Sequence, residues 1–457
     1  MEEKETSTSL KKRTVIFAIP KFGASLLLGI VGFALLKLYS DGYGIDETKV
    51  TYVISLGYIA IAISQSFFGW LSDATYISKI GRRKPYIFVL TPVMFISFIC
   101  LFLPTLFLKN PSENTLYTWL LVFNILFEIS YAVTTPYQAW MAEQFSVKER
   151  PKVSQIQNMA SHIGNGIMII FTMVVIPNFA IEVAADPTSL PLTYMLSIIF
   201  FGGFFFILFY LAAFTMPTEK PPESKPNLLR NLKLILTNKN FMLVQLMQGL
   251  ASLGWITITT IMLKYVTNVL GFTGLINLVV SGCLLVGILL ALYIWRKLIQ
   301  KVGKKRSILG VFLFAAIVAT TSVVGLIEMP DIVRYIFGFA FMLGIAGSLG
   351  GWFLFPAIYY ADLAEDDQIS TGELKAGIFV GFPSIILNLF QALGTFILGQ
   401  LYRIFPIITI GSFVAGTALT FNMAEVLWGP MVMIFMLISY FYTKFLIKLD
   451  FDWEKKR

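Results

Sequence analysis

The sequence predicts an all-α polytopic membrane protein with twelve transmembrane helices in two six-helix, pseudo-symmetric bundles. Three observations predict this fold class. The 457 residues are 57% hydrophobic and only 13% charged, whereas soluble domains carry about 25% charged residues. Apolar stretches long enough to cross a bilayer, about 20 residues each, recur along the whole chain. Motifs of the first half also return in the second half.

The composition excludes several classes of protein. A soluble globular or disordered chain does not carry so much apolar side chain. The formal net charge is +9, but the basic residues lie in short loops between apolar stretches, so no nucleic-acid partner is expected. Cys100 and Cys283 lie inside apolar stretches, which argues against a disulfide framework. With His162 as the single histidine, we predict no metal site and no cofactor.

The apolar stretches predict twelve spans after a polar tail. The first, from Val15 to Tyr39, is too long for a signal-peptide core of about 7–15 residues, so we expect it to remain as a span. The stretch 403–425 is also apolar, and we expect an outer loop or a re-entrant segment there. The predicted spans are 15–40, 49–70, 86–108, 115–140, 155–178, 192–215, 241–267, 274–296, 307–328, 333–358, 376–401 and 426–447.

The distribution of lysine and arginine predicts the orientation. If the N-terminus is cytoplasmic, 28 of the 35 basic residues lie in cytoplasmic tails and loops. Basic residues favour the cytoplasmic side of short loops. We therefore predict a multi-pass protein of the cell membrane with both termini in the cytoplasm.

The chain divides at a stretch rich in proline and charge. Leu36 to Asp41 ends the first span and is similar to Leu263 to Asn268 at the end of the seventh, 227 residues later. The loop motif Ile80 to Lys84 is similar to Val302 to Arg306, 222 residues later, so one duplication explains both. The predicted domains are a six-helix bundle over 1–216, a cytoplasmic linker over 217–240 and a second six-helix bundle over 241–457. Two such repeats around a midplane site are the architecture of the major facilitator superfamily, an alternating-access transporter fold.

The end of the second span and the loop that follows it contain a glycine, an aspartate and a basic cluster. The strings are Gly69-Trp70-Leu71-Ser72-Asp73 and Lys79-Ile80-Gly81-Arg82-Arg83-Lys84-Pro85. Gly69 allows close helix approach, and Asp73 lies at the membrane edge, where the basic cluster can pair with it in one conformation and release it in another. We therefore predict a gate of Gly69, Asp73, Gly81, Arg82 and Arg83. The alternative is a positively charged anchor with a turn proline.

These strings resemble the loop of the glycoside–pentoside–hexuronide:cation symporters, which include melibiose permease, and of the related sucrose transporters. Pro136 to Arg150 resembles that family's loop between spans four and five, and Ile163 to Asn165 resembles the start of span five in the sucrose branch. Ala361 to Gly372, with Gly377 beyond, resembles its acidic loop and adds Asp362 to the predicted gate. The resemblance covers the whole chain and implies a solute symporter with sugars or glycosides as typical cargo.

The charged binding residues of that family have no charged counterparts here. In melibiose-permease-like members, acidic residues of spans one, two and four and a lysine of span eleven serve cation and sugar binding. The matching positions are uncharged: Ser25, Ile61, Gln65, Thr134 and Asn388, while the family's span-five arginine falls near Asn158. A sodium ion in a low dielectric needs a carboxylate or several oxygens. We therefore expect a proton as the coupling ion in preference to sodium.

Glu128, in the middle of span four, is the predicted proton-coupling residue, with His162 as the second candidate. An ionisable group at that depth costs about 3 kcal/mol on insertion scales and usually faces a cavity or a partner. The alternatives are a protonated Glu128 hydrogen-bonded to a neighbouring helix and a neutral structural His162. Lys21 is expected to reach the cytoplasm along its apolar stem, and Lys37 and Lys264 are expected to anchor the outer ends of their spans.

Polar side chains spaced three and four residues apart give spans four, five, seven and eleven one polar face each. These faces must point away from lipid, so we expect them to converge on a central cavity. The alternative for each face is hydrogen bonding between helices. The predicted substrate-binding residues are Asn124, Tyr131, Gln138, Asn158, Gln245, Gln248, Trp255, Trp352, Asn388 and Gln391. The two tryptophans are expected to stack on the apolar face of a sugar.

The predicted function is secondary active transport of a sugar, a glycoside or a similar neutral polar solute, coupled to protons, by a monomer in the bilayer. An uncoupled facilitator is favoured by the missing acidic sites, and an amphiphilic substrate would be favoured by an apolar wall beside the polar faces. A polytopic membrane enzyme needs clustered catalytic groups. One histidine, no H-E-x-x-H motif and no paired intramembrane aspartates argue against an enzyme.

Overall fold

The computed structural model of the protein describes residues 7–146, 149–219, 237–371, 383–410 and 418–448. Within these ranges, twelve helices are long and apolar enough to cross a bilayer, in the order that the sequence predicts. They are α1 Leu10–Gly42, α2 Glu47–Ala74, α3 Lys84–Phe102, α4 Glu113–Met141, α5 Lys152–Ala185, α6 Leu192–Thr215, α7 Lys239–Val269, α8 Gly274–Val302, α9 Lys304–Leu326, α10 Asp331–Pro356, α11 Ser384–Ile404 and α12 Ala424–Leu446.

Three helices differ from their predicted bounds by six residues or more, and one of these, α8, continues to Val302, six residues beyond its predicted end. Residues 376–382, the predicted start of the eleventh span, lie outside the described part of the chain. Helix α3 ends at Phe102 rather than at 108, because Pro104 follows and opens a short 3₁₀ turn, Pro104–Leu106. A residue before proline is disfavoured in the helical region. Helix α5 continues to Ala185, seven residues beyond the predicted end, through a π turn at Phe171–Val175. The helix containing α10 continues past the membrane-length segment to Thr371.

Breaks inside the spans decide which side chains share a face. Helix α1 is built from two helical segments, Ser7–Ala18, within which the span begins, and Pro20–Lys37, and they are separated at the proline, which lacks a backbone N–H. Helix α4 is built from Glu113–Ser130 and from Thr134–Gln144, within which the span ends, with a 3₁₀ turn at Tyr131–Val133 between them. Helices α1 and α7 both end in a π turn, at Leu38–Gly42 and Tyr265–Val269.

We call the end with the α1–α2 and α7–α8 connections the outer end, following the predicted orientation, and the opposite end the inner end. At the outer end, α2 packs closely on α11. The Ser55 hydroxyl donates to the carbonyl of Ala392 at 2.7 Å, and the rings of Tyr52 and Phe396 stack with centroids 5.2 Å apart. A Cβ at Gly399 would lie 2.4 Å from the Thr51 hydroxyl, so glycine permits this approach.

Within the apolar stretch 403–425, the described part of the connection between α11 and α12 contains a β-hairpin. Strand β1, Ile407–Ile410, pairs antiparallel with β2, Leu419–Asn422, in the register Ile407 with Asn422. The Asn422 amide donates to the carbonyls of Tyr402 and Phe405 at 3.2 and 3.0 Å, which ties the hairpin to the end of α11. Residues 411–417 between the strands lie outside the described part of the chain.

Candidate functional site

A cavity of about 540 Å³ lies between the two halves, within the range of pockets that enclose small molecules. One face of α1 forms part of its wall through Lys21, Ser25, Leu28 and Gly32. The spacing of four, three and four residues places these side chains above one another on a helix. Helices α2, α4, α5, α7, α8, α10 and α11 supply the other lining residues.

The wall formed by α1 and α5 carries polar and apolar side chains. The polar ones are Lys21, Ser25, Ser161, His162 and Asn165, and the apolar ones are Leu28, Phe33, Met168 and Ile169. The hydroxyls of Ser25 and Ser161 are hydrogen-bonded at 2.5 Å, which joins the two helices. Lys21 lies one turn from Ser25 and, within the described residues, has no hydrogen bond or ion pair. The structure therefore places Lys21 in the cavity wall, and the prediction that it reaches the cytoplasm along its stem stays a prediction.

Helix α11 supplies a second polar strip, Ser384, Asn388 and Gln391, with the 3–4 spacing that the sequence predicts. The phenols of Tyr58 and Tyr131, from α2 and α4, also line the cavity, as does Gln65. Amide and hydroxyl groups both donate and accept hydrogen bonds. This part of the cavity can therefore bind several hydroxyl groups of one solute.

The wall formed by α8 and α10 is apolar. Its described lining residues are Leu284, Leu285, Ile288, Leu289, Leu349 and Phe353, and none carries a polar side chain. Polar and apolar surfaces thus enclose the same space. The polar residues of spans four, five, seven and eleven did not predict this wall. A leucine on a spanning helix is equally compatible with contact to lipid.

Only part of the predicted binding set lines the cavity. Tyr131, Asn388, Gln391 and the coupling candidate His162 do so. The other predicted binding residues, Asn124, Gln138, Asn158, Gln245, Gln248, Trp255 and Trp352, are not among the lining residues. Missed lining residues include Tyr58 and Ser161. A helical spacing identifies a face but does not say which neighbour covers that face, and this is the reason why the predicted set and the lining residues differ.

The predicted binding residues outside the cavity lining have identifiable surroundings. The Asn124 amide donates to the carbonyl of Val53 at 3.1 Å, so it joins α4 to α2. Trp255 and Trp352 are buried and stack on each other, with centroids 5.5 Å apart and planes at 25°. Gln138 lies beyond the 3₁₀ turn of α4, which ends the predicted continuous face. Asn158 is exposed on α5, whereas Gln245 and Gln248 are buried in α7.

Glu128 lies one side-chain layer behind the cavity wall. It is 5% exposed, and its Oε2 has no hydrogen-bond partner within the described residues. Its carboxyl group is close enough to interact electrostatically with the phenols of Tyr58 and Tyr131, both of which line the cavity. Helix α2 passes Glu128 at Gly57, where a Cβ would lie 3.0 Å from the Glu128 Cγ.

Five charged residues form an outer charge cluster, which we define as Lys37, Asp41, Glu47, Lys264 and Glu425. The Lys264 ammonium lies 2.8 Å from Asp41, 2.9 Å from Glu47 and 3.2 Å from Glu425. Lys37 pairs with Asp41 at 2.5 Å and also donates to the Asn268 amide oxygen. The cluster joins α1 and α2 of the first half to α7 and α12 of the second, and therefore closes the outer end.

Lys37 and Lys264 do not anchor their spans at the membrane surface, which corrects that prediction. Their side chains are 8% and 1% exposed, and carboxylates surround them. A buried ammonium is tolerated when it is paired. The repeat placed the two lysines at equivalent positions, but the pairing depends on α1 meeting α7, which the sequence pattern does not reveal.

An inner charge cluster forms around the predicted gate and consists of Asp73, Arg82, Arg83, Glu143 and Glu219. The Arg83 guanidinium lies 2.5 Å from Asp73 and 2.6 Å from Glu143, and Arg82 lies 2.6 Å from Glu143. The backbone N–H of Arg82 donates to Glu219 at 3.1 Å. The structure thus brings the predicted pair together and adds two carboxylates, of which Glu143 lies inside the motif at 136–150.

Electrostatics favour the charged form of the arginine at the centre of this cluster. Burial lowers the pKa of Arg83, but its hydrogen bond to Glu143 and the charge of Asp73 outweigh burial, so the pKa is raised overall. Burial raises the pKa of the Glu219 carboxyl group. Asp362, the remaining gate residue, lies on the helix that continues α10, and its side chain lies outside the described part of the structure.

Two glycines have the local geometry that the gate prediction requires. A Cβ at Gly69 would lie 3.0 Å from the Thr135 methyl group, so α2 and α4 approach closely there. Gly81 has a φ of +82°, in the left-handed region, and a Cβ there would lie 1.8 Å from a Glu219 carboxylate oxygen. A side chain at position 81 would therefore displace Glu219.

Replacing Gly81 by alanine is expected to cost about 1–2 kcal/mol from the backbone alone and to break the contact between Arg82 and Glu219. Gly44→Ala is the matched control, because Gly44 has a φ of +72° and no atom within 4 Å of a Cβ. We expect Gly81→Ala to lower the melting temperature and the transport rate clearly more than Gly44→Ala does. Equal effects of the two substitutions would show that the contact between Arg82 and Glu219 contributes nothing to stability or transport.

In the described part of the chain, twelve helices in two halves surround a central cavity, and ion pairs close one end. This arrangement defines a membrane transporter of the major facilitator type. The chain belongs to the family described as "MFS/sugar transport protein", whose profile matches residues 16–447. This confirms the family resemblance, and the protein is a transporter rather than an enzyme.

Solved structures show the same fold at low sequence identity. The xylose transporter XylE from E. coli, in a partially occluded inward open conformation, matches with a TM-score of 0.60 and 13% identity, over 97% of this chain and 99% of that chain. The nucleoside transporter NupG matches with a TM-score of 0.62 and 12% identity, over 96% and 100%. An uncharacterized symporter of Synechocystis is 26% identical over 191 residues, which is 40% of this chain and 32% of that protein.

Proposed function

We propose that the protein moves a sugar or glycoside across the cell membrane by alternating access, coupled to protons. The observation that carries this proposal is the polar lining of the central cavity by α1, α5 and α11, in a chain of the sugar-transport family. A glycoside hydroxyl needs both donors and acceptors once it leaves water, and Asn165, Asn388 and Gln391 provide both.

Glu128 is the proposed site of proton coupling. An ionised carboxylate buried without a cationic partner is costly in a membrane, and proton binding removes that cost. Tyr58 and Tyr131 lie between Glu128 and the cavity, and their hydroxyls can relay a proton. His162, in the cavity wall, is the second candidate. Sodium is the less favoured ion, because it needs several oxygen ligands at one point.

The outer charge cluster is the proposed outer gate. It separates the cavity from the outer end in this structure, and opening requires Lys264 of α7 to leave Asp41 and Glu47 of the first half. The inner charge cluster is proposed to stabilise the first half as one body while the inner end opens, because four of its members belong to that half and Glu219 belongs to the linker that follows it. We propose the monomer, with both termini cytoplasmic and the halves 1–216 and 241–457 as moving units.

The test uses the purified protein in liposomes that contain a pH-sensitive dye. A panel of monosaccharides, disaccharides and glycosides is added outside, and both internal pH and uptake of labelled solute are recorded. We expect acidification triggered by at least one solute of the panel. Uptake without acidification would support an uncoupled facilitator, and no uptake of any sugar or glycoside would contradict the proposal.

A solute with an apolar part is the second candidate, and the wall of α8 and α10 favours it. Six apolar side chains face the cavity there. A hydroxyl group placed against them would lose its hydrogen bonds to water without replacement, at a cost of about 1–3 kcal/mol. An aryl or alkyl group would gain about 25 cal/mol for each Å² of apolar surface buried.

A further inference from the structure

The inner end of α8 carries a basic surface that no nearby acidic residue of the sequence balances. No Asp or Glu occurs between Glu223 and Glu328. The last turns of α8 and the first turn of α9 expose four cations, and none of the four makes an ion pair with a described residue. We call them the inner basic patch, which consists of Arg296, Lys297, Lys301 and Arg306. Lys305 donates to the carbonyl of Ile447 at 2.7 Å, which brings the exposed Lys448 beside this patch.

The equivalent loop of the first half is neutralised within the protein. Gly303 has a φ of +90° and its counterpart Gly81 a φ of +82°, so both loops turn at the same point. In the first half, Asp73 pairs with the basic cluster at 2.5 Å. The residue 222 positions after Asp73 is Trp295, whose indole N–H donates to the carbonyl of Gly347 at 2.9 Å. A tryptophan therefore takes the place of this carboxylate in the second half, and the cations there remain exposed.

One face of α8 changes from apolar to basic as it approaches the inner end. Its members, spaced four, three, four and four residues apart, are Val286, Leu290, Tyr293, Lys297 and Lys301. The three apolar side chains are 54–58% exposed on a membrane span. The Lys297 ammonium lies 4.5 Å from the centre of the Tyr293 ring, a cation–π contact. A lipid matches the whole face, because its acyl chains contact the apolar residues and its head group contacts the cations. A soluble anion matches only the cations.

We propose that the inner basic patch binds the phosphate group of an anionic phospholipid, whose acyl chains lie along α8. Ammonium and guanidinium groups form charge-assisted hydrogen bonds with phosphate oxygens. Each Lys or Arg near an anionic membrane surface strengthens binding by about fivefold. In the predicted orientation the patch faces the cytoplasmic leaflet, which carries anionic lipids. The site lies outside the central cavity, and the proposal does not depend on which solute is moved.

The melting temperature of the purified full-length protein in detergent measures this binding. Palmitoyl-oleoyl phosphatidylglycerol is titrated in parallel with phosphatidylcholine of the same acyl chains, and inorganic phosphate is the soluble probe. We expect a saturable rise of the melting temperature with phosphatidylglycerol and none with phosphatidylcholine or phosphate. The patch variant, Arg296→Gln/Lys297→Gln/Lys301→Gln, should raise the half-saturating concentration of phosphatidylglycerol by about 100-fold. Its melting temperature without lipid should change little, because the three exposed side chains have no ion pair to lose.

Two matched variants separate the patch from net charge. Lys79→Gln/Lys109→Gln/Lys152→Gln removes the same charge from exposed positions elsewhere and should leave the half-saturating concentration unchanged. Arg296→Lys/Lys297→Arg/Lys301→Arg keeps the charge of the patch and should retain binding. The single variant Lys301→Gln, with an expected weakening of about fivefold, carries the test if the triple patch variant does not fold.

Three results would overturn the inference. The first is a rise of the melting temperature with phosphatidylglycerol that is absent, or that the patch variant leaves unchanged. The second is an equal loss in the two triple glutamine variants, which would leave only a general effect of net charge. The third is stabilisation by inorganic phosphate that the patch variant removes, because the ligand would then be a soluble anion.

Discussion

Replacing Glu128 by glutamine is expected to stop solute-driven proton entry while solute exchange continues. Glutamine keeps the size of the side chain but cannot bind and release a proton. The initial rate of acidification should fall by about tenfold or more. In the wild type, proton binding removes the cost of a buried carboxylate, about 3 kcal/mol in the membrane, and the variant has no carboxylate to neutralise. The measurement is internal pH in liposomes, with exchange of labelled solute recorded in parallel.

The control is Glu113→Gln, on the same helix. Glu113 is half exposed and pairs with Lys49 at 2.7 Å, so its removal should leave acidification unchanged. The melting temperature of Glu128→Gln distinguishes coupling from a structural role. No drop is expected, because the carboxyl oxygen Oε2 has no partner to lose. Acidification that persists in Glu128→Gln would refute this role and move the proton site to His162.

Replacing Lys264 by methionine is expected to open the outer end. The substitution leaves Asp41, Glu47 and Glu425 with Lys37 as their remaining cation in the outer charge cluster. Breaking a buried ion pair from one side costs about 3–5 kcal/mol. When the substitution destabilises the conformation with a closed outer end by this free energy, the population with an open outer end rises by about 100-fold or more.

Accessibility of a single cysteine measures this change. Ser55→Cys, with Cys100 and Cys283 replaced by serine, places a thiol in the closed contact between α2 and α11. External thiol reagent should label it much faster in Lys264→Met. Lys49→Met removes an exposed ion pair at the same end and should change labelling less than about twofold. Adding Glu425→Gln to Lys264→Met should restore slow labelling of the cysteine. Equal labelling rates in Lys264→Met and Lys49→Met would contradict the role of the outer charge cluster as a gate.

Much of the fold follows from elementary physics of the sequence. Backbone groups cannot remain unbonded in lipid, so each long apolar stretch had to be a helix. The described residues contain twelve such helices, most of them close to the predicted bounds. The hairpin at Ile407–Asn422 was not predicted, because its residues are as apolar as those of a short span. Its alternation of side chains is too brief to separate a strand from a helix.

The candidate site was predictable only where all residues of a polar strip lie on one regular helix. The strip Ser384, Asn388 and Gln391 follows from regular spacing on α11. On α4 the predicted polar face is interrupted, because the 3₁₀ turn at Tyr131–Val133 changes the direction of the residues beyond it. The stacking of Trp255 on Trp352 and the pairing of Lys264 with Asp41 depend on contacts between distant segments, which spacing along one helix does not contain.

The single carboxyl group of Glu128 behind the cavity wall has a consequence for how the membrane potential drives the cycle. One proton moving with a neutral glycoside transfers one positive charge, worth about 2.3 kcal/mol at 100 mV. The same proton moving with a monovalent anion transfers no net charge, so only the chemical gradients remain. A potassium–valinomycin potential should therefore accelerate uptake of a neutral glucoside and leave uptake of a glucuronide unchanged.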